Sequence, residues 1–465
     1  MGVTNEKQVQ ASAAKKSLFF AILISCAAAF GGYLYGYDSA VISGAIGPIE
    51  QYFNLNPGMV GFVVSSLLIG GATGILLSGF LSDALGIKKV LSISAILFAV
   101  SSIFQALATS VTILVIARMI GGIGIGMASV LSVTYISETA PPNIRGRLGS
   151  IYQLAVAIGI VSVYFLNAEI LSLGGEAWQL EIGWRYILGV AGIPALVYLL
   201  ILIPIPESPR WLMKSGKVHQ AYEVLTKING KQIADKEADN IQKSLTEHQG
   251  GSLADLFTPG VKKALGVGIT LAVLQQLVGV NVIIYYAPQV FEAAGAEGNL
   301  NTLVTSMIGV AALTGVLVSM WLVDRIGRKS LLMIGTIGMA ITQLAVGVLL
   351  QFDISAGLTP SILIVLYLFL FNISMGPVVW VILGEIFPNH VRGRAMSIAT
   401  FCMWVANWFI SQAFPIIIAR FGDGITFLLF GVMCVVSFFY VWKVIPETKD
   451  KSLEEIEQIW TKVEA

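Results

Sequence analysis

Two opposite charges and a cluster of amides stand out against a very apolar background. Asp38 and Arg118 each interrupt a long apolar run. A carboxylate at the centre of a membrane costs about 2.5–3.5 kcal/mol on insertion scales, so an acid kept there needs a reason. Two readings are open. Asp38 and Arg118 form a fixed buried ion pair that sets helix packing, or Asp38 takes up and releases a proton. Desolvation favours the neutral acid and a nearby guanidinium favours the charged one, so moving Arg118 would change the proton affinity of Asp38. The second constellation is Gln275-Gln276-Leu277-Val278-Gly279-Val280-Asn281. Amides both donate and accept, as the hydroxyls of a polyol do. On an ideal helix Gln276 and Asn281 point about 140° apart. They converge on one ligand only if the helix unwinds, and Gly279 is the predicted break. The alternative is that they serve as glue between helices.

Elements that could position such groups follow from composition. The 465 residues are 56% hydrophobic and only 12% charged, against about 25% charged in soluble domains. The solvent for most of this surface must be lipid. At about 20 residues per crossing, twelve spans are predicted near 18–46, 59–81, 89–108, 111–138, 149–170, 184–204, 263–293, 300–322, 330–351, 358–386, 394–417 and 424–445. This places Asp38 about 12 Å and Arg118 about 10 Å from the outer ends of their spans, at similar depth. Arg118 lies inside a span, and among the other Lys and Arg residues only Arg185 and Arg420 fall on the second side. The positive-inside rule therefore puts both termini in the cytoplasm of a multi-pass plasma-membrane protein. The polar start and long first apolar run argue against a cleaved signal peptide.

The net charge of +1 says nothing about nucleic acid, and no basic stripe with interleaved aromatics marks it as a partner. Cys26, Cys402 and Cys434 lie in apolar runs and read as free core thiols. His219, His248 and His390 sit in or beside loops, and no set has metal-ligand spacing. The sequence predicts neither an enzyme nor a metal or cofactor site.

Three motifs occur twice, about 240 residues apart, far beyond a solenoid period. Asp83-Ala84-Leu85-Gly86-Ile87-Lys88-Lys89 matches Asp324-Arg325-Ile326-Gly327-Arg328-Lys329. Glu138 to Arg147 matches Glu385 to Arg394, and Pro206-Glu207-Ser208-Pro209-Arg210 matches Pro446-Glu447-Thr448. The chain is thus an all-α protein of two pseudo-symmetric six-helix bundles, 1–205 and 263–465, joined by a polar helical linker, 206–262. Ser452 and Glu455 have capping-box spacing and predict a short surface helix near the C-terminus.

From residue ~18 to ~460 the chain resembles the sugar porters of the major facilitator superfamily, a fold that shares one central site between two halves. The bacterial xylose–proton symporters and the facilitative glucose transporters are similar. The resemblance rests on Gly36-Tyr37-Asp38, the repeated motifs, the Gln275–Asn281 run and Gly376-Pro377-Val378-Val379-Trp380. It implies a monosaccharide–proton symporter, a hexose or pentose carrier such as for glucose or xylose, working by alternating access as a monomer. A uniporter or a polyol or inositol transporter is the alternative within the family. A non-transporting sugar sensor would need an output region, and only five residues follow Trp460.

The resemblance further implies that Gln153, Gln275, Gln276, Asn281 and Trp380 bind the sugar, with Tyr285, Gly376 and Trp404 lining the site. It implies that Asp38 and Arg118 couple the proton. It implies that Asp83, Glu138, Arg145, Glu207, Asp324, Arg328, Glu385, Arg392 and Glu447 form a cytoplasmic gate of salt bridges holding the outward-open state. Ala312, Met403, Ile160 and Ala191 depart from polar or charged residues of relatives. Ala84 and Ile87 replace basic residues, which predicts a weaker gate in the first half.

Overall fold

The computed structural model describes residues 2–141, 144–247, 253–354, 358–388, 391–449, 451 and 455–456. Every regular element among them is helical. Eleven helices have the length and apolarity to cross a bilayer. The last, Arg392–Val444, has 53 residues and is interrupted at Gly422 (φ 80°), so it makes two crossings and completes twelve spans. The chain is a multi-pass membrane protein. Span boundaries agree with the sequence reading to within several residues, with one larger shift. Span 6 starts at Glu176, because a π-helical stretch, Gln179–Gly183, extends it. Gln179 secures that extension by donating from Nε2 to the Leu171 carbonyl (2.8 Å).

Spans 1–6 pack together, as do spans 7–12. In the first half, span 2, Pro57–Leu85, and span 4, Val111–Thr139, approach closely. A β-carbon on Gly122 or Gly126 would collide with the carbonyls of Leu67 or Gly71. Small residues at a membrane helix contact allow this proximity. The halves meet where span 1 touches span 7, span 2 touches span 11 and span 5 touches span 8.

Between the halves the polar segment folds into the helices Pro209–Lys214, Val218–Asn229 and Lys231–Glu247. Ser208 starts the first of these, its hydroxyl accepting from the Trp211 N–H (3.3 Å). The first two lie on the first half, the third packs on them, and the short turn Leu253–Phe257 lies on the second half. Ser452, His248 and His390 fall outside the described residues.

Candidate functional site

Span 7 breaks where the glycine stands. The helix Pro259–Leu277 ends, Gly279 takes a left-handed conformation (φ 88°), and Val280–Tyr285 restarts the helix. The break turns Asn281 back toward Gln276, so that Asn281 Nδ2 donates to Gln276 Oε1 at 2.6 Å. Gln276 Nε2 in turn donates to Gln275 Oε1 at 3.1 Å. Gln275 Nε2 donates to the carbonyls of Met375 (2.7 Å) and Gly376 (3.2 Å). Those carbonyls follow a second break, at Ser374, where span 10 divides into Thr359–Ile373 and Met375–Ile386. One chain of amides therefore joins the two discontinuous helices break to break. Discontinuous helices are a transporter's means of presenting polar groups at mid-membrane.

A second polar chain lies beside it. Tyr285 OH accepts from Asn407 Nδ2 (3.1 Å), whose Oδ1 accepts from the Ser411 hydroxyl (3.1 Å). Asn407, three residues after Trp404 and on the same helix face, was not singled out by the sequence reading. Its only sequence signal is an amide within an apolar span. Trp404 is buried, 5.9 Å from the ring of Tyr35 between centroids. Gln153 and Trp380 are half-buried on spans 5 and 10. Ala312 and Met403 are buried, leaving apolar wall at both positions.

Asp38 and Arg118 are 2% and 1% exposed, and spans 1 and 4 pack together. The two side chains do not close an ion pair among the described contacts. Arg118 turns to the neighbouring span instead, donating from Nε to the Val63 carbonyl (2.8 Å) and from Nη2 to that of Val64 (3.4 Å). Gln105 Oε1 lies 3.5 Å from Nη1. The close packing of spans 2 and 4 brings those carbonyls within reach. Asp38 Oδ2 is buried with no hydrogen-bond partner.

The repeated motifs fold into two matching clamps at the linker end of the molecule. In the second half, Glu447 accepts from the backbone N–H groups of Arg328 (2.9 Å) and Lys329 (3.1 Å), capping the start of span 9. Arg328 bridges Glu385 (3.0 Å) and Asp324 (3.2 Å). In the first half, Glu207 accepts from Lys88 N–H (3.0 Å) and so caps span 3. Gly86 (φ 98°) and Gly327 (φ 94°) precede the two capped helices, and a β-carbon on either would strike the capping carboxylate. Ile87 stands where Arg328 stands in the repeat, so the central cation is missing. Lys214 of the linker pairs with Asp83 instead (2.8 Å), and the Ser208 hydroxyl bonds to Glu138. Arg392 also departs from the expected set of acid–base pairs, its Nε donating to the Phe387 carbonyl (3.2 Å). The side chain of Arg145 is not among those described.

Among the described residues these ion pairs each close within one half. Polar contacts across the halves are found toward the opposite end. Gln412 of span 11 accepts from the Ser65 hydroxyl (2.9 Å) and donates to the Gly58 carbonyl (2.9 Å), both on span 2. Tyr164 of span 5 donates to the Ile284 carbonyl of span 7 (2.8 Å).

The sequence model of the family described as "Sugar (and other) transporter" matches residues 24–460. The arabinose-proton symporter of Bacillus subtilis strain 168 is 47% identical over 96% of each chain. The D-xylose-proton symporter of Escherichia coli K12 is 40% identical, covering 94% of this chain and 95% of its own. The inward open conformation of the xylose transporter XylE from E. coli superposes with a TM-score of 0.84 at 38% identity, over 94% of this chain and 99% of that one. The same transporter bound to 6-bromo-6-deoxy-D-glucose gives a TM-score of 0.81 at 38% identity, over 96% and 99% of the two chains. Two six-span halves, a broken amide-bearing span 7 and a family match along nearly the whole chain agree: this protein belongs to the sugar transporter family of the major facilitator superfamily.

Proposed function

We propose that the protein carries a pentose, arabinose or xylose, together with a proton from outside to cytoplasm by alternating access, as a monomer in the plasma membrane. The relatives named for arabinose–proton and xylose–proton symport support the substrate class. The amide chain from Asn281 to Gly376, with Gln153, Trp380, Tyr285 and Trp404, supplies groups for a sugar's hydroxyls and its apolar ring faces. The positive-inside rule makes the linker end cytoplasmic. Gln412 and Tyr164 then close the outside, and the conformation is inward-facing. The linker-end clamps act as rigid supports inside each half.

The observation that carries the proton reading is Asp38 Oδ2, buried without a partner while Arg118 is held by span 2. With the guanidinium so engaged, Asp38 is best able to hold a proton, and tilting of the halves alters that balance. Moving one charge down 100 mV supplies about 2.3 kcal/mol, enough for roughly 50-fold accumulation of sugar. The test is Asp38→Asn in proteoliposomes under an imposed proton gradient. Uphill uptake of radiolabelled D-xylose or L-arabinose is expected to vanish while equal-concentration exchange persists. Undiminished accumulation in that variant overturns the proton assignment, and loss of exchange as well makes Asp38 a structural group.

A further inference from the structure

A buried guanidinium donates on three sides and accepts nothing, and Arg118 meets a neutral oxygen on each. Two of its nitrogens are held by the Val63 and Val64 carbonyls of span 2. The third, Nη1, faces Gln105 Oε1 of span 3 at 3.5 Å, the long end of the hydrogen-bond range. Gln105 is buried near the far end of its span, Ile87–Ala106. What lies behind it fixes its orientation. The Ser101 hydroxyl has one proton and gives it to the Ala117 carbonyl of span 4 (2.7 Å). Toward Gln105 it can therefore only accept, and Gln105 Nε2 lies 2.8 Å away. With the amide nitrogen turned to Ser101, the amide oxygen is presented to Arg118. Gly121 of span 4 makes room for this arrangement, since a β-carbon there would lie 2.5 Å from Ser101 Oγ.

We infer that Gln105 is a positioning residue for proton coupling, holding Arg118 on spans 2 and 3 and away from Asp38 on span 1. This rests on the reading of Asp38 as the proton carrier. A neutral amide suits the task. A carboxylate in its place would attract the guanidinium as an ion pair in a medium of low dielectric and would compete with Asp38 throughout the cycle. An apolar residue would leave one side of the guanidinium without an acceptor and favour its return to Asp38. Among the described residues of spans 1–5, Asp38 is the one carboxylate that does not lie near a span end. The other titratable groups around it are tyrosines, among them Tyr35 and Tyr37 of span 1 and Tyr285 and Tyr286 of span 7, whose ordinary pKa near ~10 is above the range assayed. The charge at the far end of span 3 is a cation, Arg185 of span 6, engaged by the Ala106 and Ala108 carbonyls (3.0 and 2.7 Å).

The test is the external-pH profile of gradient-driven D-xylose or L-arabinose uptake in proteoliposomes, with equal-concentration exchange as the measure of intact protein. Uptake falls as pH rises through a midpoint set by the proton affinity of Asp38. In Gln105→Met the guanidinium loses an acceptor and turns toward Asp38, which favours the charged acid. The midpoint should fall by about 0.5–1 pH unit, a three- to tenfold loss of proton affinity. In Gln105→Glu the new carboxylate holds Arg118 and disfavours a second negative charge, so the midpoint should rise by a similar amount. Ser101→Ala frees the amide to turn and should shift the midpoint in the same direction as Gln105→Met. Unmoved midpoints, or shifts of the same sign in Gln105→Met and Gln105→Glu, overturn the inference. Loss of exchange in all three variants makes Gln105 a structural group and overturns it as well. A parent profile without a midpoint, together with full accumulation in Asp38→Asn, overturns the proton reading itself; unmoved midpoints beside a normal parent profile strike Gln105 alone.

Discussion

Replacing Gly279 by alanine tests whether the broken helix makes the sugar site. At φ 88° the backbone is left-handed, which costs an ordinary residue roughly 1–2 kcal/mol. The added methyl would lie 2.7 Å from Phe430 Cγ, against a normal carbon–carbon separation of about 3.5–4.0 Å. Such overpacking costs about 1–3 kcal/mol more. Together roughly 2–5 kcal/mol act against the present backbone. Straightening of span 7 would relieve both terms, and it would separate Asn281 from Gln276, now 2.6 Å apart. Titration calorimetry with D-xylose and L-arabinose should show affinity reduced about 10- to 100-fold, or roughly 1.4–2.8 kcal/mol. Gly216→Ala is the control, because Gly216 also has a positive φ (77°) but nothing lies within 4 Å of the added carbon. Wild-type affinity in Gly279→Ala, or an equal loss in Gly216→Ala, would refute the argument.

Two further outcomes are expected. Gln412→Leu removes both contacts to span 2; at about 1 kcal/mol each, their loss should raise the far-side-open population several-fold in spin-label distances, and an unaltered distribution would show that Gln412 does not close that side. Glu447 gives a pH dependence. Its partial burial pushes the carboxyl pKa up, but the N–H donors of Lys449, Arg328, Lys329 and Thr448 outweigh this and hold it below 4.5. A depressed folded pKa means stabilisation that is complete above the unfolded value and is lost as pH falls through the folded one. The melting temperature should therefore drop in acid below about pH 4.5, and more weakly in Glu447→Gln; equal acid sensitivity in both proteins would remove Glu447 as the cause.

Much of this architecture is legible in the sequence, because lipid as solvent imposes long apolar runs and a glycine amid amides marks a helix that cannot continue. The break at Gly279 and the repeated motifs were visible for that reason. Partners that are backbone carbonyls were not. Arg118 bonds to Val63 and Val64 only because glycines let spans 2 and 4 approach so closely, and no local pattern marks those two carbonyls as acceptors. Asn407 and Gln412 are lone polar residues in apolar spans, so their roles emerge only once the spans are packed. The repeat register placed Ile87 opposite Arg328, but it could not say that Lys214, from outside the motif, would take the acid left over.

That substitution by Lys214 ties the linker to one side. Its pairing with Asp83, with the helices through Glu247 stacked over spans 1–6, makes most of the connection cargo of the first bundle, while Leu253–Phe257 travels with the second.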